Sequence, residues 1–161
     1  PFNSPVLRTR LSMPRKIWMD SGAFSAFTQG ESHSIQAYCR FLDRNKEFID
    51  HAAVMDVIGD AEGTWGNQLR MEALGTSPVP CFHYGEPVSY LARYVGKYDY
   101  IALGGMVPIS TAQLIPWLDD IWGSHLVDGA GYPRVRVHGF GLTPFELLDR
   151  YPWYSVDSSS W

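Results

Sequence analysis

The chain has 161 residues, 45% of them hydrophobic and 19% charged, with a formal net charge of −4. That size and apolar content fit one globular domain with a core of its own. The acidic balance argues against a stand-alone nucleic-acid binder, whose surface is usually basic, and leaves open an enzyme that meets nucleic acid through a local basic strip.

No run approaches the ~20 apolar residues of a membrane span, and there is no signal-peptide pattern. The two cysteines, Cys39 and Cys81, lie in apolar surroundings without CxxC spacing. They read as buried reduced thiols in a cytoplasmic protein with no membrane partner.

Residues 1–15 hold two prolines and two arginines before Leu11, show little periodicity and read as a lead-in loop or edge segment. Lys16-Ile17-Trp18-Met19 is a short strand running into a tight turn, Asp20-Ser21-Gly22-Ala23-Phe24. Gly22 lets the backbone there approach a ligand closely. Residues 25–29 continue as loop or a short helical turn. Residues 34–50 form the clearest helix, with Ser34 as N-cap and Ile35, Tyr38, Phe41, Leu42 and Phe48 on its apolar face. Residues 51–55 are a strand ending at Asp56. Residues 58–66, rich in glycine and polar side chains, are a long loop above that tip, and residues 67–74 a helix.

Residues 78–85 are a strand whose tip carries His83, Gly85 and Glu86, followed by a short helix over 88–95. Residues 98–103 are the next strand, ending in Gly104-Gly105-Met106. Residues 112–122 are a helix with Leu114, Ile115, Leu118 and Ile121 inward and Pro116 within its first turn or so. Residues 135–141 make another strand with a Gly-rich tip. Thr143, Pro144 and Glu146 open a compact helix as N-cap, first residue and first-turn acid. Residues 153–156 are the last strand.

Short strands alternating with helices about six times predict a parallel sheet. The expected fold is α/β, a (β/α)8 TIM-type barrel. Functional-looking residues follow every strand, whereas a doubly wound sheet would gather them at one switch point. A complete barrel has eight strands and typically ~250 residues, so residues 1–161 read as one partial barrel domain. The start at Pro1 without an initiator Met and the stop at Trp161 just after a strand fit pieces missing at both ends.

Three apolar runs each deliver an aspartate at the C-terminal tip: Asp20, Asp56 and Asp157. Each alone is an ordinary turn or cap signal. Together with the tips bearing His83, His138 and Gly104-Gly105 they read as a site, because barrel strand tips face the active centre. Clustered carboxylates in differing environments divide acid, base and nucleophile roles. One ionised aspartate can attack an electrophilic sugar carbon, and another can hold the proton a leaving base needs. A third can accept hydrogen bonds from a purine, whose carbonyl edge the backbone at Gly104 and Gly105 can read. Trp117 and Trp122 belong to the core. Trp65 is a loop tryptophan that either covers the barrel or stacks on a base. Arg134 and Arg136 alternate along a strand, as a solvated strand end or a phosphate contact.

These residues resemble a family. Asp20-Ser21-Gly22-Ala23-Phe24 is similar to the Asp-Ser-Gly-Gly-Phe signature of tRNA-guanine transglycosylases, the queuine tRNA-ribosyltransferases. Leu103-Gly104-Gly105-Met106 resembles their Gly-Gly-Leu base-binding loop, and His138-Gly139-Phe140-Gly141 the Gly-rich strand end after it. Asp157 and Asp56 fall where that family has its nucleophile and its purine-binding aspartate. The order and spacing are similar over nearly the whole chain.

The resemblance implies exchange of guanine in nucleic acid for a deazaguanine through a covalent aspartyl intermediate. Asp157 would be nucleophile and Asp20 general acid/base. Asp56, Ser21, Gly22, Gly104, Gly105, Met106, His138 and Gly139 would form the base and substrate site. Ala23 replaces a glycine of the signature, Ser25 stands where the family often has Gln, and Ser158-Ser159-Ser160-Trp161 replaces a Pro-Thr-Arg-like continuation. The family's structural zinc site of three Cys and a His is absent from this chain, and no cofactor is expected. The ending is more similar to divergent transglycosylase-like proteins of phages and bacterial DNA-modification clusters, so the polymer partner is tRNA or DNA, with a homodimer or partner proteins as further company. Two other readings stand beside this one. The first is a metal-dependent hydrolase using Asp20, Asp56, His83, His138 and Asp157, although no HxH or HExxH pattern is present. The second is a non-catalytic nucleic-acid-binding relic.

Overall fold

The computed structural model describes residues 17–22 and 34–158. Expectations for the lead-in segment, Lys16, Ala23, Phe24, residues 25–29 and residues 159–161 lie outside the described residues. The chain divides into two compact units, residues 1–79 and 80–161. Both are built from alternating strands and helices, and every pairing between named strands is parallel.

In the first unit, β1 (Ile17–Met19) and β2 (Ile49–Ala52) pair in parallel across α1 (Ile35–Arg44). A parallel bridge from Ala53 to Val79 extends the pairing beyond β2. Ser34 caps α1 by accepting the Ala37 N–H at 3.3 Å. Tyr38, Cys39 and Leu42 form the buried stripe of α1. The helix is shorter than its sequence pattern suggests, ending at Arg44 instead of running to residue 50. Asn45 stops it: its backbone N–H goes to Leu42 O, and its side-chain amide donates to Phe41 O at 2.7 Å. Phe48, expected on the helix face, is 37% exposed in the following turn. Ile49 is then free to pair with Ile17 as strand.

The loop expected over 58–66 is also shorter. Helix α2 spans Ala61–Ala73, and Asp60 caps it by accepting the Gly63 N–H at 2.9 Å. A Cβ on Gly63 would stand 2.5 Å from the Asp60 carboxylate, so this glycine serves the cap and does not break the helix. Trp65 therefore lies on a helix, not in a loop.

In the second unit, β3 (Cys81–His83), β4 (Tyr100–Gly104), β5 (Arg136–Gly139) and β6 (Ser155–Val156) form a four-stranded parallel sheet in sequential order. The crossovers are α3 (Val88–Lys97), α4 (Thr111–Ile121) with a π-helical turn (Trp122–Leu126), and α5 (Phe145–Arg150). Pro116 is the sixth of eleven residues in α4, deeper than the first turn. Leu114, Leu118, Ile121, Trp122 and Leu126 are buried, and so form the core of this crossover. Helix α5 is capped by Pro144 without a side-chain bond, so Thr143 is not its N-cap.

Side chains alternate across a strand, and the register fixes which share a face. Cys81, Ala102, His138 and Ser155 lie in one row, and His83 and Gly104 in the next toward the C-terminal ends. Phe82, Ile101, Leu103 and Val137 occupy the other face, all buried. Phe82 stacks on Trp117 of α4 at 6.1 Å between ring centres. One face of this sheet is thus an apolar core, and the other carries polar chemistry. Among the described residues, no helix is long and apolar enough to cross a membrane.

Candidate functional site

Two clusters stand at the C-terminal ends of the strands, one in each unit. In the first unit Asp20 follows β1 directly and is exposed. Its Oδ1 accepts the Gly22 N–H at 3.3 Å, in a turn that needs Gly22 at φ +72°. Ser21, 1% exposed, donates its hydroxyl to Asp56 Oδ1 at 3.1 Å. The turn after β1 is thereby tied to the half-buried carboxylate after β2. Tyr38 of α1 lies beneath, donating its hydroxyl to Ala53 O at 3.2 Å. Burial, then the charges of Asp20 and Asp56, push the Tyr38 phenol far above its ordinary range, so it stays protonated. Asn67 of α2 donates to Met55 O at 2.8 Å, bracing the chain just before Asp56.

In the second unit Asp157 leaves the end of β6 with its side chain 52% exposed. Its N–H goes to Gly139 O at 3.2 Å, and its Oδ1 accepts the Gly141 N–H at 2.7 Å. Gly141 has φ +67°, and an added Cβ would meet Val107 Cγ2 at 2.8 Å. Nε2 of His138, on β5, is 3.9 Å from the same Oδ1. The other nitrogen of His138 is 2.7 Å from Ser155 Oγ, which is 2.6 Å from the Tyr100 hydroxyl. Two hydrogen bonds thus join hydroxyl, hydroxyl and imidazole across three strands, and the imidazole ends 3.9 Å from the nucleophile candidate, beyond hydrogen-bond reach of it. His138 is 2% exposed and meets the Phe140 ring edge-on at 4.7 Å.

The glycines of the predicted site serve packing as well. A Cβ on Gly104 would stand 2.9 Å from Cys81 Sγ and 3.0 Å from His83 Cδ2. At Gly105, with φ +68°, a Cβ would lie 3.1 Å from His83 Cβ. Their small size therefore admits His83, and the exposed backbone of Gly105 remains available to a ligand. Met106 is 3% exposed, tucked beneath that turn. Gly139 alternates to the sheet face opposite His138, where a side chain would collide with Leu142 and the Trp153 ring. Its part in the cluster is the carbonyl that holds Asp157. His83 forms a buried group with Cys81 and Glu86.

Arg136 stands at the other end of the strands. It opens β5, pairs with Asp99 at 2.9 Å and lies over the Tyr100 and Tyr154 rings. It lines a groove of about 350 Å³ with Arg134, Pro133 and Trp153. A hydrogen bond that it donates to Tyr154, then the charge of Asp99, raise its already high pKa. A phosphate held there would be remote from Asp157.

Sequence reasoning gave no role to Ser155 and Tyr100, and named Glu86 only as part of the strand tip beside His83. The first two join His138 only through strand register, Tyr100 and Ser155 lying 55 positions apart in the chain. Glu86 had a local signal, since it closes a three-residue turn back onto His83. Compared with protein-family models, curated proteins and solved structures, the chain matches none.

Proposed function

We propose that this chain exchanges guanine in a nucleic acid for a deazaguanine base, as a pentosyltransferase of the tRNA-guanine transglycosylase type on a (β/α)8 barrel. A reducing, cytoplasmic setting belongs to this reading, supported by two buried free cysteines. The observation that carries it is the mounting of Asp157. Two backbone bonds fix the residue, and one engages Oδ1. Its second carboxylate oxygen accepts no hydrogen bond among the described residues, and the side chain is half exposed. A nucleophile needs this combination of fixed direction and an unencumbered attacking atom.

In the first step an Asp157 oxygen bonds to C1′ of the target guanosine. The bond from C1′ to the base nitrogen breaks, its electron pair leaves with guanine, and an acid supplies the proton that guanine takes up. In the second step the incoming deazaguanine, relieved of its ring N–H proton by a base, attacks C1′ and returns Asp157 to a carboxylate. Asp20 takes the acid and base roles by resemblance, and its exposed carboxylate at a strand end is suited to proton transfer. Asp56, Ser21, Gly22, Gly104, Gly105 and Met106 are assigned to the base on the same footing. His138 and Gly139 are assigned to the substrate site on the same footing, and the Gly139 carbonyl also holds the Asp157 N–H.

Incubation with isotopically labelled guanine tests the reading. Label should enter tRNA or DNA in the presence of the wild-type protein and fail to enter with Asp157→Asn. The polymer that takes it up identifies the partner. Folded wild-type protein that labels neither polymer, with guanine or with a deazaguanine donor, would contradict the reading.

A further inference from the structure

Cys81 and His83 are two residues apart on β3, so both side chains leave the same face of the sheet. Cys81 Sγ and His83 Nε2 are 3.5 Å apart. The other ring nitrogen, Nδ1, lies 3.0 Å from Glu86 Oε1, while Glu86 Oε2 accepts the His83 backbone N–H at 2.9 Å. An ionised carboxylate only accepts hydrogen bonds. Nδ1 therefore carries the proton, and Nε2 of the neutral ring presents its lone pair toward the sulfur. The His83 and Glu86 side chains are 8% and 7% exposed, and Cys81 is 1% exposed. The absent side chain of Gly104 leaves the space that sulfur and ring fill.

We propose that Cys81 and His83 are two ligands of a divalent transition-metal ion of zinc type, with Glu86 orienting the imidazole. Zinc bonds of ~2.3 Å to sulfur and ~2.0–2.1 Å to nitrogen, at a tetrahedral angle, place the two donor atoms about 3.6 Å apart. That is close to the observed separation. A carboxylate behind the second ring nitrogen is the usual support of a metal-bound histidine, fixing its tautomer and raising its basicity. Charge balance points the same way. With the ion bound, the Cys81 thiolate it creates and the Glu86 carboxylate would be balanced by the dication. Thiolate with imidazole selects zinc-like ions over magnesium or calcium. The remaining coordination positions belong to water or to donors other than this pair. Ion binding here does not draw on base exchange, none of whose steps above passes through a metal, although Gly104 and Gly105 pack directly against these two side chains.

The same spacing suits a plain S–H···N hydrogen bond, and cobalt(II) distinguishes the two. The intact chain is stripped with a chelator, shown to be folded by circular dichroism, and titrated with cobalt(II) under reducing conditions. The expected result is one cobalt per chain, with a thiolate-to-cobalt charge-transfer band and tetrahedral ligand-field bands that zinc(II) displaces. Cys39→Ser should keep the bands and Cys81→Ser should lose them, while Glu86→Gln weakens binding about 10–100-fold. The chain has only two cysteines, so bands retained in Cys39→Ser assign the sulfur to Cys81 even where Cys81→Ser does not fold. Folded protein that binds no stoichiometric cobalt, a cobalt spectrum lacking the charge-transfer band, or a band lost in Cys39→Ser would overturn the proposal.

Discussion

Gly141 orients Asp157 with its own N–H, at a φ of +67° that side-chain-bearing residues rarely adopt. Gly141→Ala adds that strain and a contact with Val107. The expected cost is about 1–3 kcal/mol of stability, with a fall in exchange rate beyond what the folded fraction explains; urea titration and the labelled-guanine assay read the two separately. Ser155 is the hinge of the polar chain behind the same carboxylate. Ser155→Ala removes the hydroxyl that both Tyr100 and His138 bond, and should cost about 1–3 kcal/mol in urea unfolding. Asp157 and His138 were legible in the sequence because each closes an apolar run. Ser155 and Tyr100 were not, because their meeting depends on which residues of β4, β5 and β6 fall opposite one another.

Among the elements, α2 shows how a local rule was misread. Two glycines between residues 61 and 66 suggested loop, yet Asp60 caps a helix there and the cap itself demands Gly63. Asp60→Ala should cost about 1 kcal/mol, read as a lower thermal midpoint. Helix α1 was overextended for the opposite reason. Its apolar spacing continues past Arg44, but Asn45 offers the backbone other bonds, and Ile49 finds a partner in β1.

Helices α4 and α5 are joined by Arg150, whose guanidinium donates two hydrogen bonds to Asp119. The Arg150 and then the Tyr151 hydrogen bonds hold the Asp119 carboxyl below its ordinary 3.8. A carboxyl depressed on folding stabilises fully above its unfolded value, and that contribution is lost as pH falls through the lower folded value. Asp119→Asn should therefore flatten the acid limb of the stability profile below about pH 4 and leave its slope near neutrality unchanged. A mutant curve parallel to wild type through the acid range would contradict this.

At the scale of the whole molecule, the alternation of strand and helix was readable from hydrophobic periodicity and turn residues, and the structure bears out parallel βα units. Strand lengths were not readable. β6 is two residues long and β3 three, because their apolar runs begin two or three residues before the paired strand. The functional polarity of the second unit lies along its strands. Asp157 and His83 sit toward their C-terminal ends, while Arg136 opens β5 beside Asp99 at the N-terminal end. This separation makes Arg136→Ala a discriminating control: adduct formation at Asp157 should survive it. The buried face beneath is the mechanical support. Leu118→Ala, in the fully buried part of α4, should cost about 2–5 kcal/mol, measured by chemical denaturation.

The central claim is that Asp157 forms a covalent bond to a nucleic-acid sugar. Wild-type protein incubated with guanine-containing tRNA or DNA and a deazaguanine base, denatured and digested, should yield a nucleic-acid-linked peptide that mass spectrometry maps to Asp157. Asp157→Asn should give none and lower turnover by about 10⁴-fold or more. An adduct that persists in Asp157→Asn, or no adduct with either polymer from folded wild-type protein, would contradict the account.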